Sequence, residues 1–402
     1  MPVLFCFFAP EPYFELNMNS TEDSNGPFIA PTIVCPVGRD WLLWFEALNR
    51  YVILSPPQKA VLDLYYAVEG DAETFRQLLL EGANWQQGQA LEAQRNISAL
   101  LQEVATSPGS LPIAPPVAYE EGSFAVRQDF QLGNRHVRVE GQEKGVLELL
   151  CPALAHHSIP ATGTADVVFQ LQKAAGHLYL YKNGVLLQAV PEQDYHYITG
   201  KFLMHIIVAQ HQVPEAGWIG TLHASTVVRR GQAIMLTGQS GQGKSTLSTL
   251  LCSAGYQLLA DDITPLRADN LELGHNPSAV SVKTGAFDII GRYFPGFRDL
   301  PEIYLNAFKG KVKYLPLPAP VEPSYPCQHL VLVQYQPGVK ARLQPVAPSV
   351  ILKALIPDSW VAGDRGHAAV FMEWLSSRRY YQLTYSRLEE VVPLFNVLTH
   401  YP

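Results

Sequence analysis

The sharpest chemical signal is a run of eight residues, Gly238-Gln239-Ser240-Gly241-Gln242-Gly243-Lys244-Ser245. It fits GxxxxGK followed by Ser or Thr, the Walker A pattern, with an added glycine at Gly241. Glycines let backbone N–H groups curl around phosphate oxygens without a Cβ clash. A helix starting at the end of such a loop adds the positive end of its dipole. Lys244 can place a point charge on the β- and γ-phosphates, and the Ser245 hydroxyl can ligate Mg²⁺. The expected ligand is Mg-ATP, held between Gly238 and Thr246. A second signal follows 17 positions after Lys244, where Asp261-Asp262 ends an apolar segment. Adjacent carboxylates can divide labour: one holds Mg²⁺ and the other accepts a proton from an attacking hydroxyl. A third is His223, in the stretch Thr221 to Val228 just upstream.

These residues need a scaffold, and the local pattern supplies one. Ala233 to Thr237 reads as a short strand entering the loop. Leu247, Leu250, Leu251 and Ala254 form one apolar helix face after it, with Gly255 as the stop. Tyr256 to Ala260 reads as the next strand. The pattern predicts one βαβ unit with neighbouring parallel strands, which sets the carboxylates and the phosphates at the same sheet edge. Strand alternation should then turn Asp261 and Asp262 to opposite sides. His223 should lie beside the strand that carries the loop. Lys309, Lys311 and Lys313, with Arg292 and Arg298, form the densest basic region downstream. One of them could neutralise transition-state charge, although a solvated loop explains each singly. The segment from Ser377 to Leu398 reads as a strand and a closing helix.

Upstream the organisation changes. Residues 1–30 form a lead-in with the polar patch NMNSTEDSNGP. Residues 31–106 read as a small unit of two strands (Trp41–Phe45, Tyr51–Leu54) and three helices, the first opened by Pro56-Pro57. Residues 107–119 are a proline-rich linker. Residues 120–212 are strand-rich, with Asn183-Gly184 as a hairpin signal and a buried helix over Ile198–His211. Residues 213–402 hold the loop and the carboxylates.

His223-Ala224, the loop and Asp261-Asp262 together resemble the catalytic domain of HPr kinase/phosphorylase and its relatives. The resemblance is concentrated between Leu222 and Leu266 and extends weakly through Lys283 and KVKYLPLP to the C-terminus. It implies Lys244 on the phosphates, Ser245 and Asp261 at Mg²⁺, and Asp262 as base with His223 tuning it. Ala224 stands where the enzymes acting on HPr carry glycine, and Thr246 where they carry glutamate. Their arginine-bearing signature loop has no clear match. The pattern looks closer to the divergent kinases of peptide-modification gene clusters. The segment LLWFEALNRYVILSPPQKAVLDLYY in residues 31–106 resembles PqqD-like domains, which implies peptide binding by strand addition. The fold class expected is therefore α/β: a P-loop kinase domain of the HPr kinase type, with a winged-helix-like α+β module and a β-rich flanking region.

Composition narrows the classes. Asp and Glu outnumber Lys and Arg by 36 to 29, a net charge of −7 that argues against nucleic-acid binding. Charged residues are 16% and hydrophobic ones 48%, which fits a globular chain. No apolar run reaches membrane-spanning length, and MPVLFCFF lacks the features of a secretory signal. Five dispersed cysteines without a CxxC pair fit free thiols in a cytoplasmic protein. No NKxD follows the loop, so guanine specificity is not expected, and no LSGGQ marks a transporter ATPase. Three functions remain: a kinase for a hydroxyl of a peptide or protein acceptor recruited by residues 31–106, a small-molecule hydroxyl kinase, and an ATP-binding scaffold without transfer. A homo-oligomer is compatible with each.

Overall fold

The apolar run Leu42-Leu43-Trp44-Phe45 has no polar face to offer water, and the structure buries both of its faces. The computed structural model describes residues 28–399 except 84, 107–113, 162, 240 and 307–309. The lead-in to residue 27, most of the proline-rich linker, Ser240 and Lys309 therefore lie outside the described residues. The chain is a mixed α/β protein with several sheets. Among the described residues, no helix is long and apolar enough to cross a membrane. Cys35, Cys151, Cys252 and Cys327 are free thiols.

The first unit is an antiparallel sheet of β1 (Ile33–Val37), β2 (Asp40–Phe45) and β3 (Arg50–Leu54), with helices α1 (Pro56–Ala67), α2 (Ala72–Ala83) and α3 (Gln87–Ala105). β1 is a third strand beyond the two expected. Pro36 hides it in the sequence, but an edge strand tolerates a residue that cannot donate. Ser55 and Gln58 form a capping box at α1, whose first turn carries the two prolines. Leu43, Phe45 and Leu54 pack on the helices. Val37, Leu42 and Trp44 face the other way, into the core of the C-terminal part. Asn49 locks this junction: it accepts from Trp44 Nε1 at 2.8 Å and donates to the Val361 carbonyl at 2.7 Å.

The second unit contains β4 (Val126–Leu132), β5 (Arg135–Gly141), the short helix α4 (Lys144–Leu147), β6 (Ser158–Ile159), β7 (Val167–Ala174), β8 (His177–Lys182), β9 (Val185–Pro191) and α5 (Tyr195–His211). Its six strands run in the order β6-β4-β5-β7-β8-β9. Asn183 and Gly184 both take positive φ between β8 and β9, the backbone that a tight two-residue hairpin requires. α5 is apolar nearly all round because it is buried on two sides. Ile198, Phe202 and Ile206 pack on this sheet, while Met204 and Ile207 pack with Trp218.

The third unit runs through β10 (Trp218–Leu222), β11 (Ser225–Arg229), β12 (Gln232–Thr237), α6 (Lys244–Ser253), β13 (Gln257–Ala260), β14 (Thr264–Arg267), β15 (Leu273–Gly274), β16 (Val280–Lys283), α7 (Phe287–Tyr293), β17 (Ile303–Asn306) and β18 (Gly310–Leu315). It continues with β19 (Ser324–Tyr325), β20 (Cys327–Tyr335), β21 (Arg342–Pro345), α8 (Pro348–Leu355), β22 (Trp360–Val361), α9 (Arg365–Ser376), β23 (Arg379–Tyr385) and α10 (Leu388–Leu398). The main sheet has the order β13-β11-β12-β20-β23-β21; a second is β19-β15-β14-β10-β22, and a third is β16-β18-β17. β12, β20 and β23 are parallel neighbours, whereas β11 is antiparallel to both β12 and β13.

That order corrects the sequence expectation of neighbouring parallel strands on either side of α6. β11 lies between β12 and β13, because the tight return at Arg229–Gln232 pairs it with the loop strand first. β12 and β13 still point the same way, each being antiparallel to β11.

Candidate functional site

Several chain segments converge where the sheet turns into loops. Register fixes the edge: Ser225 opposes Leu236 and Thr226 opposes Ala260, while Thr237 is level with Leu332 of β20. The end of β12, the start of β11 and the end of β13 thus lie together. The glycine-rich loop leaves β12 through Gly238 at φ +146, where an added Cβ would sit 3.0 Å from the Val333 carbonyl oxygen. Only glycine fits that approach without moving backbone. Gly243 caps α6, whose first residue is Lys244.

Lys244 is 7% exposed. Its ammonium donates to the Gly238 carbonyl at 2.6 Å, which spans the loop. Burial lowers its pKa. The charges of Asp262, Asp261 and Asp358 oppose that shift, and Lys283 adds to it. Asp261 is buried and accepts a hydrogen bond from the Ser225 hydroxyl. The side chain of the loop's Ser245 also acts on it, favouring its charged form. Burial, followed by the Asp262 charge, raises the Asp261 pKa against the pull of those two hydroxyls and Lys244.

Asp262 points elsewhere, but not by strand alternation. Its φ of +65 places it in the left-handed region, after β13 has ended, and the Ile263 amide donates to the Asp261 carbonyl across it at 2.7 Å. This tight bend replaces the alternation expected from the sequence. It leaves the Asp262 side chain 62% exposed, with Oδ1 3.4 Å from His223 Nδ1. His223 sits in the short link between β10 and β11, where its amide donates to Ser359 Oγ at 3.1 Å. Ser359 Oγ in turn donates to the Leu355 carbonyl at 2.6 Å.

Of the residues singled out in the sequence, the structure brings together Gly238, Gln239, Gly241, Gln242, Gly243, Lys244, Ser245 and Thr246 with Asp261, Asp262 and His223. The basic region behaves differently. Lys313 is buried over the rings of Phe287 and Phe297 and donates to the Arg298 carbonyl at 2.7 Å, while Lys311 pairs with Glu302. The additional basic residue whose charge acts on Lys244 is Lys283, at the end of β16. Sequence reasoning also missed Ser225, Asp358 and Tyr314. Tyr314 is held near Asp262: burial, then the Asp262 and Tyr195 charges, push its hydroxyl up to about 12. Ser225 stands two residues after His223 and could have been found by pairing β11 with β13. Asp358 carries no local signal, and Tyr314 lies in KVKYLPLP, a segment that the resemblance reached without assigning this residue a role.

The donor set suits a hard divalent cation, since Ser245 and Asp261 offer only oxygen and lie beside a loop whose backbone needs glycine. Chemically, the arrangement offers a buried carboxylate on the loop side and a second, solvent-facing carboxylate beside an imidazole.

No family model matches the chain, and no curated protein matches it. Among solved structures, the HPr(Ser) kinase/phosphatase from Coxiella burnetii aligns with 44% of this chain and 92% of that chain, at 14% identity and a TM-score of 0.19. A likeness of that size carries no argument, and the site stands on its own residues.

Proposed function

We propose that the protein is an ATP-dependent kinase of the P-loop, HPr kinase-like type that transfers a phosphoryl group to a hydroxyl of a peptide or protein. The observation that carries this reading is the buried Asp261 held by Ser225 beside the glycine-rich loop, with Asp262 turned outward next to it. A scaffold that only bound nucleotide would have no need for the second, exposed carboxylate.

In this reading the backbone of Gly238 to Thr246 holds the phosphates, and Lys244 leaves the Gly238 carbonyl to meet the β- and γ-phosphates. Ser245 and Asp261 hold Mg²⁺, which neutralises charge on the phosphate oxygens. Asp262 accepts the proton of the acceptor hydroxyl as its oxygen bonds to the γ-phosphorus and the bond to the ADP oxygen breaks. His223 positions Asp262 and disperses its charge. The first unit favours a peptide over a small molecule. It resembles peptide-binding domains, and it packs into the core through Val37, Leu42 and Trp44, so anything it captures is tethered to the catalytic unit.

Mass spectrometry of candidate peptides incubated with Mg-ATP tests the proposal. A peptide should gain one phosphoryl group with the wild type and not with Lys244→Ala. Phosphorylation of free hydroxy amino acids alone would move the reading to a small-molecule kinase. ATP binding without any transfer would leave a scaffold.

A further inference from the structure

The edge that carries the loop is asymmetric. On one side of β12 stand His223, Asp261 and Asp262. On the other side stand two tyrosines at the ends of the next parallel strands, Tyr335 of β20 and Tyr385 of β23. Thr237 ends β12 level with Leu332, so β20 runs three residues further. At about 3.3 Å per residue it reaches about 10 Å beyond the end of β12, alongside the loop. Strand alternation sets Tyr335 on the same face as Val331 and Val333, which pack with Leu247 and Leu250 of α6. An added Cβ on Gly243 would lie 3.7 Å from Tyr335 Cβ and 3.4 Å from the Tyr385 hydroxyl.

The two rings do different work. Tyr385 is buried, and its ring meets that of Tyr335 edge-on, with centroids 5.6 Å apart and an interplanar angle of 75°. It supports Tyr335 from behind and stands against the loop at Gly243. Tyr335 is 49% exposed although it closes the end of a central strand. A large aromatic surface kept open beside a loop of this kind is suited to a planar partner.

We propose that Tyr335 is the stacking platform for the base of a purine nucleoside triphosphate. The triphosphate then runs from the tyrosine side, across the loop, to the carboxylate side. The inference rests on the kinase reading above and deepens it by assigning the nucleoside subsite. The geometry orders the ligand: if the terminal phosphate faces Asp261 and Asp262, the base end must leave on the side of β20. Stacking is tolerant of base identity, so discrimination between ATP and GTP should be small, while loss of the ring should be felt by both.

The test compares binding of Mg-ATP, Mg-GTP and inorganic tripolyphosphate to the full chain, by calorimetry, in the wild type, Tyr335→Ala, Tyr335→Phe and Lys244→Ala. Removing a base-stacking ring costs on the order of tenfold or more in affinity. Tyr335→Ala should therefore weaken ATP and GTP by about tenfold and leave tripolyphosphate within about twofold, because that ligand has no base. Tyr335→Phe keeps the ring and should bind like the wild type. Equal weakening of ATP and tripolyphosphate in Tyr335→Ala would show damage to the loop, and unchanged ATP affinity would show no stacking; either overturns the inference while leaving the kinase reading intact. Wild-type protein that binds neither ATP nor tripolyphosphate would overturn the kinase reading itself.

Discussion

Replacing Asp262 by Asn separates catalysis from stability, and the structure sets both magnitudes. The Asp262 side chain is 62% exposed, and its contact with His223 Nδ1 is 3.4 Å long. Exposed pairs contribute roughly 0–1 kcal/mol to stability. The substitution should therefore move the melting midpoint by less than about 4 °C. Asparagine is nearly isosteric but cannot accept the acceptor's proton at neutral pH. Positioned proton transfer contributes about 10²–10⁴-fold, so kcat should fall by that factor while ATP affinity stays near normal. The phosphoryl-transfer transition state is largely dissociative, which favours the lower end of that range. His223→Ala should show a smaller loss, since it acts through Asp262. Asp261→Asn should instead raise the Mg²⁺ concentration needed for half-maximal activity, because it removes the buried charge that Ser225 holds in place. The assay is kcat for the three variants across a Mg²⁺ titration, with melting curves alongside. Restoration of Asp262→Asn, but not Asp261→Asn, by excess Mg²⁺ would show that the roles are exchanged. If neither variant loses activity, the phosphoryl-transfer argument is refuted.

Lys244→Ala should abolish the ATP-dependent rise in melting midpoint, and a rise equal to that of the wild type would exclude Lys244 from the phosphates. The histidines clustered between the second and third units make stability depend on pH. Burial and the neighbouring imidazoles lower His275 to about 3 and His156 to about 4, and burial also lowers His157 and His211. Their unfolded value is near 6.5, so the unfolded chain binds more protons as pH falls below it. Stability should be full above about pH 6.5 and decline towards pH 4; His275→Gln should flatten that decline, and an unchanged slope would refute the assignment. Trp44→Ala should cost about 3–5 kcal/mol in urea unfolding, since Trp44 is fully buried and its indole donates to Asn49. For the same reason, deleting residues 31–106 would strip Val37, Leu42 and Trp44 from the core, so recruitment is better tested by surface substitutions in that unit.

Much of the site was legible as local pattern. The loop reads from its glycines, lysine and serine. The strand before it and the helix after it read from Ala233 to Thr237 and from the Leu247, Leu250, Leu251 stripe. Those features depend on neighbours within a few positions, where periodicity and backbone preference act. The same holds for the Asn183-Gly184 hairpin and for the double burial of α5, which its all-round apolar surface announces. What the tertiary structure alone decided was pairing at long range. β11 entered between β12 and β13 and brought Ser225 onto Asp261, a partnership 36 residues apart. The left-handed bend at Asp262 replaced strand alternation because β13 stops at Ala260, where sheet pairing no longer holds the backbone extended. Asp358 and Tyr335 reach the site from distant segments whose local sequence carries no sign of it, and Lys283 and Tyr314 from segments where the resemblance was weak and assigned them no role. Their position follows from sheet order and register, and those are set by the burial of apolar faces across the whole chain rather than by any residue near the loop.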